Sequence, residues 1–337
     1  MKKVITILVL TLTTSFAFAQ DAPETTPLQI SGSGDLYYKY DFAKTENIKT
    51  SFGTDQNSVS LGMLDIALKK TIKKVSFVGE ISFGPRGQYQ SIPNGDGLDE
   101  NSFHIQNLYA SYAVTDKLSF TAGYMGTYIG YEVISPVGNF SYSTSYLFTN
   151  GPFQNAGVKA NYKITDKFGA MFGLFNDSWN KYKADPAKGL NAVGGQLSYA
   201  SGATSAYFNF MDGSVSGTIF DLTATFQLTE KFKLGLNGAD FSNEGDVGYT
   251  GAAIYPSYAF NDAFALGMRA EYFKYKEGSG DTSVTAFTLS GNYKISGLTI
   301  IPEFRIDTNS DDVMFVNSDL NPTSSASQVL LAVVYGF

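Results

Sequence analysis

The sequence predicts an all-β fold: a closed antiparallel transmembrane β-barrel of sixteen strands, with short periplasmic turns, long extracellular loops and a long third loop. Three observations carry this. The chain opens on an export signal, and after it no apolar run approaches the roughly 20 residues that a membrane helix needs. Aromatic residues are 15% and charged residues only 16%, a balance that suits lipid better than water. Polar and apolar residues also alternate in segment after segment, and tight turns and long polar loops take turns joining those segments.

The first residues, "MKKVITILVLTLTTSFAFAQ", read as a signal peptide over 1–19. Lys2 and Lys3 give a basic start, Val4 to Leu12 a short apolar stretch, and Ala17-Phe18-Ala19 a small-x-small cleavage site. No Cys follows, so a lipoprotein anchor is not expected; with no Cys in the sequence there is no disulfide framework, thiolate metal site or thiol catalysis. Removing 1–19 takes two of the 24 basic residues and none of the 31 acids, so the net charge moves from −7 to −9. That balance argues against a nucleic-acid partner. Residues 20–27 are expected to be a short periplasmic segment, and 28–337 the barrel.

The alternation is clear in "DLYYKYDF", where Asp35, Tyr37, Lys39 and Asp41 oppose Leu36, Tyr38, Tyr40 and Phe42. It recurs in "SFVGEISFGPR", "VKANYKI", "MRAEYFK" and "IPEFRID". Expected strands are 28–42, 57–70, 75–86, 103–114, 118–128, 153–164, 168–176, 190–200, 204–211, 217–228, 232–240, 248–260, 264–273, 284–295, 298–307 and 326–337. Seven tight turns join them in hairpins, including "TDK" at 115–117 and 165–167, "TEK" at 229–231 and "NDA" at 261–263. Longer polar segments near 43–56, 87–102, 177–189, 212–216, 241–247, 274–283 and 308–325 fall on the other side.

Residues 129–152 hold enough aromatics for strands but also Pro136, Gly138, Gly151 and Pro152. Reading them as strand would make the count odd and put a long loop among the short turns, so they are expected to be the third long loop. Pro256 lacks a ladder donor, and a bulge is expected to accommodate it. "FHIQNLYASY" fits no single alternation, because His104 and Gln106 are out of phase with Asn107, Tyr109 and Ser111; a bulge is expected there too.

Sixteen strands enclose enough space for an aqueous channel. Charged residues on the polar faces are the candidate pore lining: Asp35, Lys39, Glu80, Arg86, Lys159, Lys163, Arg269, Glu271, Glu303, Arg305 and Asp307. The plainer reading of any one of them is a wall salt bridge. In the long loop, Tyr131, Glu132, Phe140, Tyr142, Tyr146 and Phe148 are the candidate constriction residues, since five aromatics are out of place on a free surface loop. The overall charge favours cations or neutral solutes, although local charge decides.

The run from Gly123 to Asp177 carries "GYE" at 130–132, the Tyr142-Ser143 pair, "GPFQNAGV" at 151–158, and "TDK" followed by an aromatic-rich strand. It resembles the Bacteroidetes-type outer-membrane β-barrel porins of the OmpL-like, porin-2 family. That family often has Arg after the Tyr-Ser pair, where this chain has Thr144. The resemblance implies a porin of the bacterial outer membrane, surrounded by lipid and lipopolysaccharide. It also implies that the insertion machinery reads the aromatic-ended strand "SQVLLAVVYGF". Passive diffusion of small hydrophilic solutes or ions is the expected function, in a monomer or a trimer. The alternative is a structural, assembly or adhesin barrel with a blocked lumen. An enzyme is not expected: His104 is the only His and no GxSxG elbow is present. No cofactor is expected. A divalent cation would have to use the acidic strings "DGLDEN" and "NSDDVMFVNSD", which match no EF-hand spacing and read more simply as solvated loops.

Overall fold

The computed structural model describes residues 25–86, 103–176, 185–277, 280–311 and 314–337. The expected signal peptide, 1–19, and the string "DGLDEN" lie outside these residues. The strands are β1 (Gln29–Asp41), β2 (Ser58–Ile72), β3 (Val75–Phe83), β4 (Phe103–Ala113), β5 (Leu118–Gly126) and β6 (Gln154–Lys163). Next come β7 (Phe168–Asn176), β8 (Leu190–Ser201), β9 (Thr204–Gly213), β10 (Gly217–Gln227), β11 (Phe232–Ser242) and β12 (Gly248–Ala259). The rest are β13 (Phe264–Lys276), β14 (Thr282–Ile295), β15 (Leu298–Asn309), the two-residue β16 (Phe315–Val316) and β17 (Pro322–Thr323), and β18 (Ser325–Gly336). β16 and β17 form a small ribbon in the last loop, and the other sixteen form one closed antiparallel barrel.

Closure joins β1 to β18, from Ser33 opposite Gly336 to Asp41 opposite Gln328. At this seam Gly32 and Phe337 exchange backbone hydrogen bonds of 3.0 Å in both directions. A Cβ on Gly32 would lie 2.7 Å from the Phe337 ring, so the terminal aromatic closes the barrel over a residue without a side chain. Thr25 bridges to Ile72, so the segment ahead of β1 continues along the end of β2.

Period-2 alternation separates two faces. Leu61, Leu64, Ile66 and Leu68 of β2 are exposed outward, while Met63 and Asp65 are buried inward. Exposed tyrosines Tyr112, Tyr162, Tyr258, Tyr293 and Tyr335 sit within a few residues of the short turns, where an aromatic girdle belongs. The repeated turn sequence has one chemistry. The hydroxyl of Thr115 accepts from the amides of Lys117 and Leu118, and Thr165 and Thr229 repeat this on their own turns. Asn261 does the same through its amide oxygen.

Register departs from expectation at Pro256. β12 keeps one register along β13 on either side of Pro256: Ile254 faces Ala270 and Ser257 faces Gly267. No bulge is needed, because Pro256 pairs with Leu234 on its other side and leaves only the β13 ladder locally unpaired. Pro302 does the same against β14, between Glu303 opposite Ser290 and Ile300 opposite Tyr293. The bulge in β4 is present: Glu80 faces Asn107 but Ile81 faces Ile105, so Gln106 is the extra residue. One long loop shrinks to 214–216, because β9 and β10 reach Gly213 and Gly217. β3 ends at Phe83, so Arg86 lies beyond the strand that was expected to carry it.

Candidate functional site: the loop inside the barrel

Residues 127–153 contain no strand; they hold a 3-10 turn at Pro136–Gly138 and a five-residue helix, α1 (Tyr146–Asn150). Ser145 caps the helix, its hydroxyl accepting from the Phe148 amide at 2.9 Å. A loop of this kind leaves backbone amides and carbonyls without ladder partners, and burying them unpaired is costly. Ser141 to Leu147 are all buried, so their polar groups must be satisfied from elsewhere.

The barrel wall does this with charge. Glu303 accepts from the amides of Tyr142 (2.9 Å) and Ser143 (3.4 Å). Glu271 accepts from the amides of Tyr146 (2.9 Å) and Leu147 (2.8 Å). Arg269 donates to the Ser143 carbonyl at 2.6 Å and the Thr144 carbonyl at 3.2 Å, and Arg305 also donates to the Thr144 carbonyl, at 2.8 Å. Within the loop, Glu132 accepts from the Ser145 amide and hydroxyl and pairs with Arg269 at 2.7 Å. Asp35 and Asp307 accept from the phenols of Tyr142 (2.5 Å) and Tyr146 (2.8 Å). Burial, above all, holds both phenols well above their ordinary range, so they stay donors. Carboxylates therefore take the loop's N–H groups and arginines its C=O groups, which makes these bonds charge-assisted.

The loop also reaches other strands. Tyr128 donates to the Phe210 carbonyl of β9 at 2.7 Å and stacks on Phe175 of β7 at 5.8 Å. The Gly130 amide donates to Asp221 of β10 at 3.0 Å, and Tyr131 stacks on Tyr255 of β12 at 4.4 Å. The Ile134 carbonyl accepts from Arg86 at 2.8 Å, and Phe140 offers its carbonyl to Asn292 of β14 at 2.9 Å. Phe148 meets Phe52 of the first loop at 5.8 Å and Phe153 at 4.7 Å.

Inward glycines make room for these rings. A Cβ on Gly194 would overlap the Tyr128 side chain, one on Gly235 the Tyr131 ring, and one on Gly267 the Phe140 ring. The cause is close approach, since none of the three has a positive φ. These glycines were not singled out from the sequence, although each sits on the polar phase of its strand.

Of the remaining charged candidates, Arg86 also reaches the loop, through the Ile134 carbonyl and the Tyr142 ring, whereas Glu80, Lys39, Lys159 and Lys163 lie on the wall. Glu80 accepts from Asn107 at 2.5 Å on the β3–β4 wall. Arg86 is buried, its guanidinium 4.5 Å from the Phe52 ring and 4.8 Å from the Tyr142 ring. Lys39 is fully buried two residues from Asp41, and its Nζ has no hydrogen-bond partner among the described residues. Lys159 is buried on β6, and Lys163, at the end of that strand, pairs with Asp166 at 2.6 Å. Sequence reasoning missed Asp221, which ties Asn209 and Asn237 (both 2.6 Å) to the loop, and Ser290, which donates to Glu303 at 3.1 Å. Among the described residues no group of three or more His, Asp or Glu is placed to hold a metal ion.

The chain matches, over residues 27–337, the profile of a family described as "Putative beta-barrel porin-2, OmpL-like". Its fold is similar to that of an anion-selective porin from Comamonas acidovorans, at 13% identity and a TM-score of 0.64, covering 93% of this chain and 100% of that one. It is similar too to in-vitro folded OmpT, an outer membrane protein of Vibrio cholerae, at 12% identity and a TM-score of 0.61, covering 94% and 99%. Salmonella typhi OmpF, solved with daunomycin, aligns at 12% identity and a TM-score of 0.60, covering 92% and 97%. At such identities the likeness is one of fold alone. No curated protein matches the sequence.

Proposed function

The chain belongs to the β-barrel porin-2, OmpL-like family and is an outer-membrane barrel of the porin kind; from that premise we propose that it lets small hydrophilic solutes or ions diffuse passively through a water-filled interior, with residues 129–152 as the constriction. One observation carries this reading: charged wall residues from β1, β13 and β15 are spent on holding the loop inside the barrel. A loop meant to display itself to a partner has no use for buried arginines bonded to its carbonyls. The role proposed is that of a channel and not an enzyme. Lipid and lipopolysaccharide would surround the exposed apolar face, and the insertion machinery would read β18.

A second reading has its own support. The loop bonds or stacks with β7, β9, β10, β12, β13, β14, β15 and β1, and with Phe52 of the first loop, so it spans the interior and does not follow one side. A sealed barrel that presents loops to a partner would be built this way. Planar-bilayer recording separates the two. The porin reading expects discrete conductance steps from the intact protein and a several-fold larger step once residues 133–149 are deleted. Silent wild-type protein with a conducting deletion would establish the sealed barrel, and an unchanged step would remove the loop from the constriction.

A further inference from the structure

The charged residues at the short-turn ends of the barrel strands are of one sign. In the five residues nearest the short-turn end of each of the sixteen barrel strands there is no Asp or Glu, while Lys69, Lys70, Lys159, Lys163, Lys233 and Lys294 all fall there. Lys70 is on the outward phase of β2 and donates to the Thr26 carbonyl at 2.7 Å. The other five are on the inward phase. Lys69 follows the buried inward residues Met63 and Asp65, Lys233 leads into the buried Gly235 and Asn237, and Lys294 follows the buried Ser290 and Asn292, so each continues the inward phase of its strand. Lys159 and Lys163 share a face of β6. These strands, β2, β6, β11 and β14, are spread around the closed barrel, so the lysines form a ring and not a patch.

Their neighbours do little to cancel them. Serine, threonine and asparagine fill nearby inward positions, among them Ser76, Ser111, Ser119, Asn161 and Thr225. The short turns add Asp116, Asp166, Glu230 and Asp262 against Lys73, Lys74, Lys117, Lys167 and Lys231, and of these acids Asp166 pairs with Lys163. At the level of the loop the situation is opposite: acids outnumber arginines, but each of Glu132, Glu271, Glu303 and Asp307 gives at least one oxygen to loop amides, hydroxyls or guanidinium groups.

We propose that the lumen on the short-turn side is a vestibule for anions, and that Lys69, Lys159, Lys163, Lys233 and Lys294 make the channel prefer small solutes bearing carboxylate or phosphate groups. The physical reason is that rings of lysine in a low-dielectric wall raise the local anion concentration over about 8 Å, the screening length at physiological salt. The net charge of the whole chain, −7, has the other sign and does not decide selectivity, because no Asp or Glu falls in the five residues nearest the short-turn end of any barrel strand. The inference rests on the channel reading above.

Zero-current potentials in a potassium chloride gradient test it. The intact protein should show the sign of chloride preference. Lys69→Met with Lys233→Met and Lys294→Met should bring the potential close to zero, and the same three positions changed to Glu should reverse it. Any one of these substitutions alone should shift it part of the way, which keeps the test available if the triple variants fail to insert. A wild-type channel that prefers potassium, or variants that leave the potential where it was, would overturn the anion vestibule and leave the porin reading standing. Wild-type protein without conductance steps would overturn both.

Discussion

On the wall made by β13, β14, β15 and β1, charged side chains reach out of the sheet to the loop: Arg269, Glu271, Glu303, Arg305, Asp307 and Asp35 all bond to residues of segment 132–147. On the wall made by β2 to β6, they bond within the sheet. Ser33 donates to Asp65, Asn107 donates to Glu80, and Asn107 in turn accepts from the Gly126 amide at 2.8 Å. Both walls carry ionisable residues at the same inward phase, so phase alone does not separate them. The difference is how much unpaired backbone lies opposite: segment 142–147 lies against the first wall, while on the second side Arg86, past the end of β3, takes the Ile134 carbonyl.

Four substitutions test that contrast, starting with the largest effect. Arg269→Met removes the partner of buried Glu132 and the donor to two loop carbonyls. It should cost about 3–5 kcal/mol, read as a lower unfolding midpoint in detergent. Open-channel noise should rise as the loop loosens; a quiet channel of normal stability would mean that Arg269 does not hold it. Glu271→Leu strands the amides of Tyr146 and Leu147 at the start of α1. A loss of about 2–4 kcal/mol is expected, with faster hydrogen exchange confined to residues 145–150. Exchange unchanged in that segment would show that the amides find other acceptors.

Gly235→Ala is the third test, because a methyl there meets the Tyr131 ring. About 1–3 kcal/mol is expected for overpacking, and Tyr131→Ala added to it should recover most of the loss. Failure of the second change to rescue the first would place the strain in the strand itself. Glu80→Gln, on the other wall, should be the mildest at under about 1 kcal/mol, since the amide oxygen can still accept from Asn107. Loop exchange and channel noise should stay as in wild type. If they change as much as for Glu271→Leu, the two walls are not distinct and the comparison fails.

The barrel was legible in the sequence because strand phase is local: "DLYYKYDF" places Asp35 and Lys39 on one face without reference to any other strand. The β4 bulge was legible for the same reason, as a slip between Gln106 and Asn107. Counting turns correctly placed 129–152 among the loops. What the loop touches was hidden, because its partners lie far along the chain: Glu132 and Arg269 are 137 residues apart. The bulge expected at Pro256 was unnecessary, since proline lacks one donor and a ladder can forgo that bond without slipping. The wall glycines beneath Tyr128, Tyr131 and Phe140 escaped notice because their purpose is set by the ring above them.

The spacing of those contacts along the chain has a consequence for biogenesis. The loop leaves β5 early in the chain, but the groups that satisfy it arrive on β13 and β15, with Tyr146 and Asp307 separated by 161 residues. Until the last third of the chain has paired, in segment 141–147 the amides of Tyr142, Ser143, Tyr146 and Leu147 lack their acceptors and the carbonyls of Ser143 and Thr144 their donors; only the Ser145 amide has its acceptor, Glu132, nearby in the chain. The segment's seating therefore has to follow barrel closure, or coincide with it. An incomplete barrel would leave the segment solvated, and so recognisable to periplasmic proteases, whereas a finished one would protect it. The third loop thus reports whether the chain has been assembled to its end.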